Sequence, residues 1–398
     1  MNISGVICEF NPLHNGHLYL LNKIRENGAT HIIAVMSGNF TQRGEPAVMS
    51  KWARTETALK CGADLVIELP VAYSVASAEK FAFGGVYILN SLNCVDKLYF
   101  GTESDDLNAL KNMAELFNNS ETVEEIKLMM RKGTTYAKAT EATAVKHFGE
   151  SYAHIIKSPN NILALEYLKS LMKLKSGILP QNIKRVAVEH DSSKYSGNFA
   201  SASFVRGLIC QGFDFKNYVP KETAEVFERE YKNYRCPVTI KSIERETLLK
   251  LRSYDTVKLK NLPDVSEGLE YKIKAAADAG TSYDETVSGI KSKRYTHARL
   301  RRILLCALLD ITKEIQNTVP QYIRVLGFNQ RGVEIMSQIK KSCPYPLITL
   351  PSKQKKLLSA KQNELLMKDI ISGNMYNAMM PRIQKSFDDY TLGCIKLI

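Results

Sequence analysis

The stretch that most constrains the fold of this chain is Cys8–His17, which reads Cys-Glu-Phe-Asn-Pro-Leu-His-Asn-Gly-His. A short apolar run that includes Ile3, Val6 and Ile7 precedes it and predicts a buried strand. Apolar residues at helical spacing follow it, from Leu18 to Ile24, and predict a helix. The stretch is therefore expected to be a strand-to-helix turn, where an open α/β sheet presents free backbone N–H groups and the positive end of a helix to a phosphate.

Two histidines and a glycine in this turn favour a nucleotide as the ligand. His14 and His17 are three residues apart at the start of the helix, so both rings can face the same anion. Gly16 lies between them and leaves room for a base or a phosphate against the bare backbone. The chemistry of the turn thus predicts a nucleotide site.

Beyond the turn, the first part of the chain alternates strands and helices in the manner of a parallel sheet. Each β–α–β crossover should be right-handed, which produces one doubly wound, Rossmann-like α/β sheet whose ligands bind beyond the carboxyl ends of the strands. The further strands are predicted at His31–Met36, Asp64–Leu69 and Lys97–Phe100, and the helices at Gly16–Asn27, Lys51–Cys61 and Ser77–Leu92.

The remainder of the chain is predicted to be mostly helical. Helical patterns fill residues 105–176, while Arg185–Val188 and Tyr322–Gly327 predict two more strands. We therefore expect a nucleotide-binding catalytic domain over residues 1–212, with residues 105–176 as a helical insertion. A mainly helical, basic region is expected over residues 213–398.

The motifs of the first domain resemble those of a known family. His14-Asn15-Gly16-His17 resembles the HxGH signature of the nucleotidyltransferase superfamily, whose members bind ATP in this turn and direct an in-line attack on its α-phosphate. Together with Glu9–Pro12, Met36–Pro46 and Ser50–Arg54, it resembles the bacterial tRNA(Met) cytidine acetate ligase family, over the chain up to about residue 330.

The resemblance implies a ligase with two substrates besides ATP. Such an enzyme activates acetate as acetyl-adenylate, with Mg²⁺ accompanying the ATP, and releases pyrophosphate. It then passes the acetyl group to N4 of the wobble cytidine of elongator tRNA(Met), forming N4-acetylcytidine and AMP. ATP, Mg²⁺, acetate and the tRNA anticodon loop are therefore the expected cofactors and partners.

The resemblance also adds candidate residues outside the turn. Gly101 follows the fourth strand; alone it is equally an ordinary turn glycine, and the resemblance makes it part of the ATP site. Asn160, with Asn161 as the alternative, lies at a helix start and matches an ATP contact of the family. Arg185 matches a nucleotide-binding arginine of the family.

A second phosphate-binding segment is expected at Ala200–Arg206, which resembles a superfamily motif of helix-start hydroxyls and a clamping arginine, except that Phe204 replaces one hydroxyl residue. Arg43 and Lys51 are cations placed to meet a triphosphate or a carboxylate, and we expect them to be catalytic together with His14 and His17. The expected ATP-binding residues are Ile7, Cys8, Glu9, Phe10, Asn11, Pro12, Leu13, His14, Asn15, Gly16, His17, Leu18, Tyr19, Leu20, Gly101, Asn160, Arg185, Ser201, Ser203 and Arg206.

The positive charge is concentrated toward the end of the chain. Residues 281–398 contain 19 Lys and Arg against 9 Asp and Glu, which accounts for +10 of the net charge of +13. Such a surface is typical of a protein that holds a phosphate backbone, although a solvated lysine-rich surface has the same composition. The most basic stretch, residues 291–302, is predicted to begin an amphipathic helix. Its cations either bind tRNA or only extend from the apolar surface of the helix into solvent. The expected tRNA-binding residues are Lys291, Lys293, Arg294, Tyr295, Arg299, Arg301 and Arg302.

Several classes of protein are disfavoured by composition. No apolar run approaches the ~18 residues of a membrane span, and the first residues lack the zones of a signal peptide. The eight cysteines are scattered without a CxxC pair, which indicates neither a disulfide framework nor a zinc ribbon. We expect a reduced, cytoplasmic protein without a membrane segment and without a metal site of its own.

Other functions use some of the same residues and remain open. A nucleotidyltransferase that adenylates a small phosphorylated cofactor precursor shares the motifs, but needs no long basic C-terminal region. An RNA-binding protein with a vestigial nucleotide site would tolerate the loss of both histidines, which are present. A metal hydrolase based on His14 and His17 would need carboxylate ligands at a suitable spacing, which the sequence lacks. A hydrolase with a catalytic triad that includes His190 and Asp191 would need a nucleophile motif, which is also missing. The choice of acetate and of tRNA(Met) comes from the resemblance alone, and the oligomeric state is not indicated.

Overall fold

The computed structural model describes residues 1–152, 155–185, 198–266, 268–292 and 295–398. In this part of the chain one sheet contains eight strands: β1 (Ile3–Cys8), β2 (His31–Ser37), β3 (Leu65–Leu69), β4 (Lys97–Thr102), β5 (Leu179–Lys184), β6 (Ile323–Asn329), β7 (Leu347–Ile348) and β8 (Ile395–Leu397). Their order is β5-β4-β1-β2-β3-β6-β7, with β8 beside β6. Strands β1 to β5 are parallel to one another, whereas β6 is antiparallel to β3.

The order of the strands reverses between β1 and β4. The chain moves from β1 through β2 to β3 on one side, and then returns to place β4 and β5 on the other. Such a reversal opens a crevice at the carboxyl ends of the strands, and the turn after β1 lies at that position. All seven residues of β2 are buried, as is usual for a parallel strand covered by helices on both faces. The structure confirms the predicted Rossmann-like α/β fold.

One predicted strand differs in position from the observed one, and another has a place in the sheet that the sequence did not indicate. The strand predicted at Arg185–Val188 is displaced, because β5 ends at Lys184 and residues 186–188 lie outside the described part of the chain. The pattern missed β5 because an edge strand needs no continuous apolar run and tolerates its Pro180. Strand β6 lies where it was predicted, but it extends the N-terminal sheet beside β3.

The tail of the chain also contributes to this sheet, since β7 and β8 both pair with β6. No sequence pattern indicated these short strands. The predicted domain boundary at residue 212 stays a prediction, and strands from beyond it complete the sheet.

The helices lie between and after the strands. Those between β1 and β4 are α1 (Asn15–Glu26), α2 (Lys51–Lys60), α3 (Val71–Ser74) and α4 (Ala78–Ser91). Those between β4 and β5 are α5 (Leu107–Asn118), α6 (Ser120–Arg131), α7 (Tyr136–Phe148) and α8 (Pro159–Lys173). Those between β5 and β6 are α9 (Ala202–Gln211), α10 (Lys221–Lys232), α11 (Glu244–Ser253), α12 (Thr256–Lys260), α13 (Leu269–Ala279), α14 (Tyr283–Ile290), α15 (His297–Leu308) and α16 (Lys313–Gln316). The last are α17 (Gln330–Ser342), α18 (Pro351–Gln354), α19 (Ala360–Met379) and α20 (Asp388–Thr391).

The C-terminal helices pack against the loops at the carboxyl ends of β2 and β3. Phe40, from the loop after β2, and Val71, at the start of α3, share one hydrophobic cluster with buried residues of α13, α14, α15 and α19. On α15, Leu300, Ile303 and Leu304 face this cluster, as their helical spacing predicted. The C-terminal region therefore forms one wall of the crevice. Among the described residues, none of the helices combines the length and the apolar character needed to cross a bilayer.

Candidate active site

The turn after β1 is closed by reciprocal hydrogen bonds of its two histidines. His14 caps α1, and its Nδ1 accepts from the backbone N–H of Gly16 at 3.1 Å. The Nδ1 of His17 accepts from the backbone N–H of His14 at 3.3 Å. The two rings stack, with their centroids 3.7 Å apart. A Cβ at Gly16 would lie 2.9 Å from the His14 ring, so the cap itself requires this glycine.

These hydrogen bonds determine which ring nitrogen carries the proton. Because each Nδ1 accepts, each neutral ring carries its proton on Nε2 and can donate it to a ligand. Burial, together with the cations Arg185 and Arg206, lowers the pKa of His14 to about 3. Burial and the adjacent His14 lower the pKa of His17 well below its usual range. Both histidines are therefore neutral donors near pH 7 in the free protein, rather than imidazolium cations.

Several residues of the predicted ATP-binding turn mainly support it. Phe10 and Leu13 are buried in the core under the turn, and the Phe10 ring meets His17 edge to face at 5.1 Å. The side chain of Asn11 accepts from the backbone N–H of Val48 at 2.8 Å. The remaining residues of the predicted set in this turn that are only partly buried are Ile7, Cys8, Glu9, Asn15, Gly16, Leu18, Tyr19 and Leu20.

Two arginines and a serine form a cationic group beside the turn, which we call the phosphate cradle after its expected ligand. The Ser203 hydroxyl accepts from Nη1 of Arg43 at 3.1 Å and from Nη2 of Arg206 at 3.2 Å. Nη1 of Arg206 also donates to the carbonyl of Asn11 at 3.0 Å, which places it against the histidine turn. Ser203 lies in the first turn of α9, whose N-cap is Ser201, so free helix amides add to the positive charge. The cradle brings Arg43 together with two residues of the predicted segment Ala200–Arg206, which lies about 160 residues further along the chain.

The carboxyl group of Glu9 lies near the arginines of the cradle. Glu9 accepts from the backbone N–H of Gln42 at 2.7 Å, which ties the β1 turn to the loop that follows β2. Burial raises the pKa of Glu9, while the Gln42 hydrogen bond and the nearby Arg206 and Arg43 oppose the shift.

The predicted residues at β4, β5 and α8 form the opposite side of the crevice. The aliphatic part of Arg185 lies over Gly101, where a Cβ would come within 3.3 Å of it. Asn160 donates to the carboxylate of Glu103, and Asn161 is buried and accepts from the backbone N–H of Glu103 at 3.0 Å. Asn161 is thus a structural residue, and Asn160 is the more accessible of the two.

Lys51 occupies a different environment from the other predicted catalytic residues. Its side chain is 1% exposed, and its ammonium contacts Glu68 and Asp389, each at 2.8 Å. Arg324 also pairs with Asp389, at 3.0 Å. In the free protein this lysine therefore belongs to a buried ion cluster that joins α2 to the end of the chain, and the structure does not bring it into the phosphate cradle.

The predicted tRNA-binding segment is partly committed to contacts within the protein. Arg301 pairs with Glu45, and Arg302 reaches Asp264 at 3.6 Å. Arg299 stacks on Tyr295, with 4.8 Å from its guanidinium carbon to the ring centroid. The Lys291 ammonium is bonded to backbone carbonyls. Lys293 and Arg294 lie outside the described residues.

Three residues to which the sequence analysis gave no role of their own hold this crevice together. Glu45 lies between Arg301 and Arg206, with 4.0 Å between Glu45 and the latter. The buried Arg54 donates to the carbonyls of Glu9 and Gly38, which joins the loops after β1 and β2. Glu103 forms hydrogen bonds with both Asn160 and Asn161. Glu45 and Arg54 stand inside the motifs that carried the resemblance, and Glu103 is two residues after Gly101, but a single charged residue gives no sign of its partner.

Taken together, the crevice is suited to a polyphosphate. It presents two neutral imidazole N–H donors, the guanidinium groups of Arg43, Arg185 and Arg206, and the starts of α1 and α9. Across the described residues, no group of three or more His, Cys, Asp or Glu side chains is placed to hold a metal ion. The roles of the individual residues toward ATP stay predictions.

Comparison with known proteins gives consistent results. Residues 1–390 match the family described as HIGH nucleotidyl transferase. The tRNA(Met) cytidine acetate ligase of Thermoanaerobacter sp. strain X514 is 42% identical over 384 residues, which cover 94% of this chain and 95% of the relative. That of Caldanaerobacter subterraneus subsp. tengcongensis is 41% identical over 405 residues, with full coverage of both chains.

Two solved structures extend the likeness to three dimensions. The crystal structure of apo Thermotoga maritima TmcAL superposes with a TM-score of 0.95 at 32% identity, and all of both chains is covered. The same protein bound with alpha-thio ATP superposes with a TM-score of 0.93 over all of both chains.

Proposed function

Because the chain belongs to the HIGH nucleotidyl transferase family and, within it, to the tRNA(Met) cytidine acetate ligases, we propose that it uses ATP to acetylate N4 of the wobble cytidine of elongator tRNA(Met). The observation that carries this proposal is the crevice at the β1–β4 switch point, where the Nε2 donors of His14 and His17 adjoin the cradle of Arg43, Ser203 and Arg206. Neutral donors beside cations suit an adenylating enzyme, which must stabilise charge that develops on the α-phosphate and on the leaving pyrophosphate.

In the first step, a carboxylate oxygen of acetate attacks the α-phosphorus of ATP in line. The new P–O bond forms as the bond to pyrophosphate breaks, which yields acetyl-adenylate. The histidine Nε2–H groups donate to the α-phosphate oxygens as their charge grows, while Arg43 and Arg206 hold the departing pyrophosphate. The protein contributes alignment and charge stabilisation rather than a covalent intermediate.

In the second step, the N4 amine of the cytidine attacks the carbonyl carbon of the mixed anhydride. The bond between the acetyl carbon and the AMP oxygen breaks, AMP leaves, and the amine loses one proton. The cytosine must leave its stack to reach the anhydride, and a single-stranded anticodon loop makes this inexpensive.

Mg²⁺ enters this proposal as a partner of the nucleotide. The carboxylates nearest the cradle are engaged by the protein itself, since Glu9 accepts from Gln42 and Glu45 pairs with Arg301. The residues thus fit a cation that takes phosphate oxygens and waters as its ligands, which is how Mg²⁺ is usually held beside ATP. When bound, it neutralises phosphate charge.

The test is the transfer of labelled acetate to tRNA, with ATP, Mg²⁺ and acetate each omitted in turn. Label on the RNA that requires all three supports the proposal, and nuclease mapping then places it on a nucleotide. We expect His17→Ala to abolish acetate-dependent exchange of pyrophosphate into ATP and to leave tRNA affinity nearly intact. Absence of label on RNA, together with transfer of AMP to a small phosphorylated acceptor, would instead establish the cofactor-synthesis alternative.

A further inference from the structure

The cations that the sequence assigned to tRNA are largely occupied by partners within the protein. Arg301 and Arg302 bind acidic residues, and Arg299 covers Tyr295. A surface that holds an anticodon loop needs cations without such partners and flat apolar groups for unstacked bases. These properties coincide at a different place on the molecule.

That place is the aromatic platform, which we define as Tyr231, Tyr234, Arg382, Ile383 and Phe387. The first two lie at the end of α10, and the other three lie between α19 and α20. The backbone N–H of Arg382 donates to the carbonyl of Tyr234 at 2.9 Å, so the two segments form one surface. All five side chains are exposed; Tyr231 and Tyr234 are 59% and 61% exposed.

The conformation of the platform keeps its rings at the surface. Tyr234 has φ +56°, a left-handed conformation that is uncommon for an aromatic residue. It is held by a hydrogen bond from its N–H to the carbonyl of Tyr231 at 2.9 Å. The ring of Tyr231 stacks on Phe227, which supports it from within the protein. The two tyrosines are thus anchored through backbone and core contacts.

The charge around the platform is positive. Lys232, Arg235, Arg382 and Lys385 all lie within the same two segments. Arg235 reaches Glu230 at 3.8 Å, whereas the other three have no ion pair among the residues described in the structure. Exposed rings interleaved with unpaired cations fit single-stranded nucleic acid, because every base has a face to stack and every nucleotide brings a phosphate.

The platform is attached to the rim of the phosphate cradle. The backbone N–H of Val238 donates to the carbonyl of Val48 at 3.1 Å, and the hydroxyl of Tyr376 donates to that of Ala47 at 2.6 Å. Ala47 and Val48 belong to the loop between β2 and α2, which also bears Arg43. Along the chain, Tyr234 is four residues before Val238, and Arg382 is six residues after Tyr376. Short segments therefore connect the platform to these two hydrogen bonds.

We infer that the aromatic platform binds the bases that flank the reacting cytidine in the anticodon loop. This inference rests on the proposed function and adds the surface that orients the RNA toward the adenylate. Stacking by the two tyrosines holds the loop open, and the cations of the two segments hold its backbone.

The test measures binding of a fluorescently labelled anticodon stem–loop RNA of tRNA(Met) by anisotropy, with the full-length protein. We expect Tyr231→Ala and Tyr234→Ala each to weaken binding at least about fivefold, and Tyr234→Phe, which keeps the stacking face, to restore most of the affinity. Arg382→Ala should reduce the slope of log Kd against log salt by about 0.7, the value of one single-strand phosphate contact. Circular dichroism melting verifies that each variant is folded.

Tyr271→Ala is the matched control, since this tyrosine of α13 is 66% exposed but lies outside the platform. Its RNA affinity and acetylation should equal those of the wild type. Unchanged affinity in the Tyr231→Ala/Tyr234→Ala double variant would overturn the inference and leave the surface to a partner of another class. If the wild type fails to acetylate RNA while the platform variants still lose RNA affinity, the proposed function is wrong and the platform stands.

Discussion

Replacement of His17 by glutamine and by asparagine separates the two functions of its ring. In the structure, Nδ1 accepts from the backbone N–H of His14 at 3.3 Å, so the neutral ring carries its proton on Nε2, which we propose donates to the substrate. The amide nitrogen of glutamine falls near the position of Nε2 and can still donate there. The amide oxygen of asparagine falls near the position of Nδ1, so it preserves the cap but cannot reach the substrate.

Loss of the Nε2 donor and loss of the Nδ1 acceptor should reduce activity by different amounts. A donor aimed at charge that develops in the transition state is worth about 2.7–4 kcal/mol, or roughly 10²–10³ in kcat. The bond to the His14 amide is an ordinary backbone hydrogen bond worth about 1 kcal/mol, or roughly fivefold. Water can replace it in part, because His17 is only partly buried. We therefore expect His17→Asn to lose about a hundredfold or more, and His17→Gln about tenfold or less.

The assay is acetate-dependent exchange of labelled pyrophosphate into ATP without tRNA, which isolates adenylation. Urea unfolding of both variants serves as the control for the cap, and here His17→Asn should be the more stable of the two. If the asparagine variant proved as active as the glutamine variant, the assignment of the proton to Nε2 would be wrong.

The neutrality of the pair has a consequence for pH. The folded-state pKa of His14, about 3, lies below the ordinary unfolded value of about 6.5. As pH falls below about 6.5, the unfolded chain binds a proton that the folded protein does not, so stability should decline by up to about 1.4 kcal/mol per pH unit until the folded pKa is reached. NMR titration should show the imidazole of His14 neutral at pH 5. His14→Gln should reduce the decline in stability, and an unaltered decline would contradict this account.

Three further expectations follow from contacts around the crevice. Arg301→Ala should lower kcat/KM for ATP in pyrophosphate exchange up to about fivefold, because Glu45 then pairs with Arg206, the arginine of α9 that we propose holds the pyrophosphate. A residue that only binds tRNA would leave this reaction unchanged. Gly44→Ala should lower the free energy of unfolding in urea by about 2–4 kcal/mol, since φ of Gly44 is +76° and a Cβ there would lie 2.5 Å from the backbone of α15. Gly62→Ala is the control, because Gly62 has φ +111° but open space around it, and it should cost about 1 kcal/mol. Lys51→Met leaves the buried Glu68 and Asp389 with Arg324 as their remaining cation and should cost about 3–5 kcal/mol; a loss below about 1 kcal/mol would show that Lys51 does not stabilise the fold through this ion cluster.

The sequence by itself determined the local structure of the crevice. Strands β1 to β4 and the helices between them follow from apolar periodicity, which acts over a few residues and therefore can be read without the fold. The cap made by His14, Gly16 and His17 is equally local, since all its atoms lie within four consecutive residues. The switch point between β1 and β4, in contrast, depends on the order of the strands in the sheet, which only the tertiary structure supplies.

Only the tertiary structure decided which charged groups meet. Arg43 and Ser203 are 160 residues apart, Arg301 and Glu45 are 256 apart, and Lys51 and Asp389 are 338 apart. A charged side chain has the same identity whether it faces solvent, a phosphate or a buried carboxylate, and its role depends on partners that only the packing of distant elements supplies. Lys51 could therefore be predicted as a free cation from its motif, although the end of the chain encloses it, and Glu45 could not be predicted as the residue between two arginines.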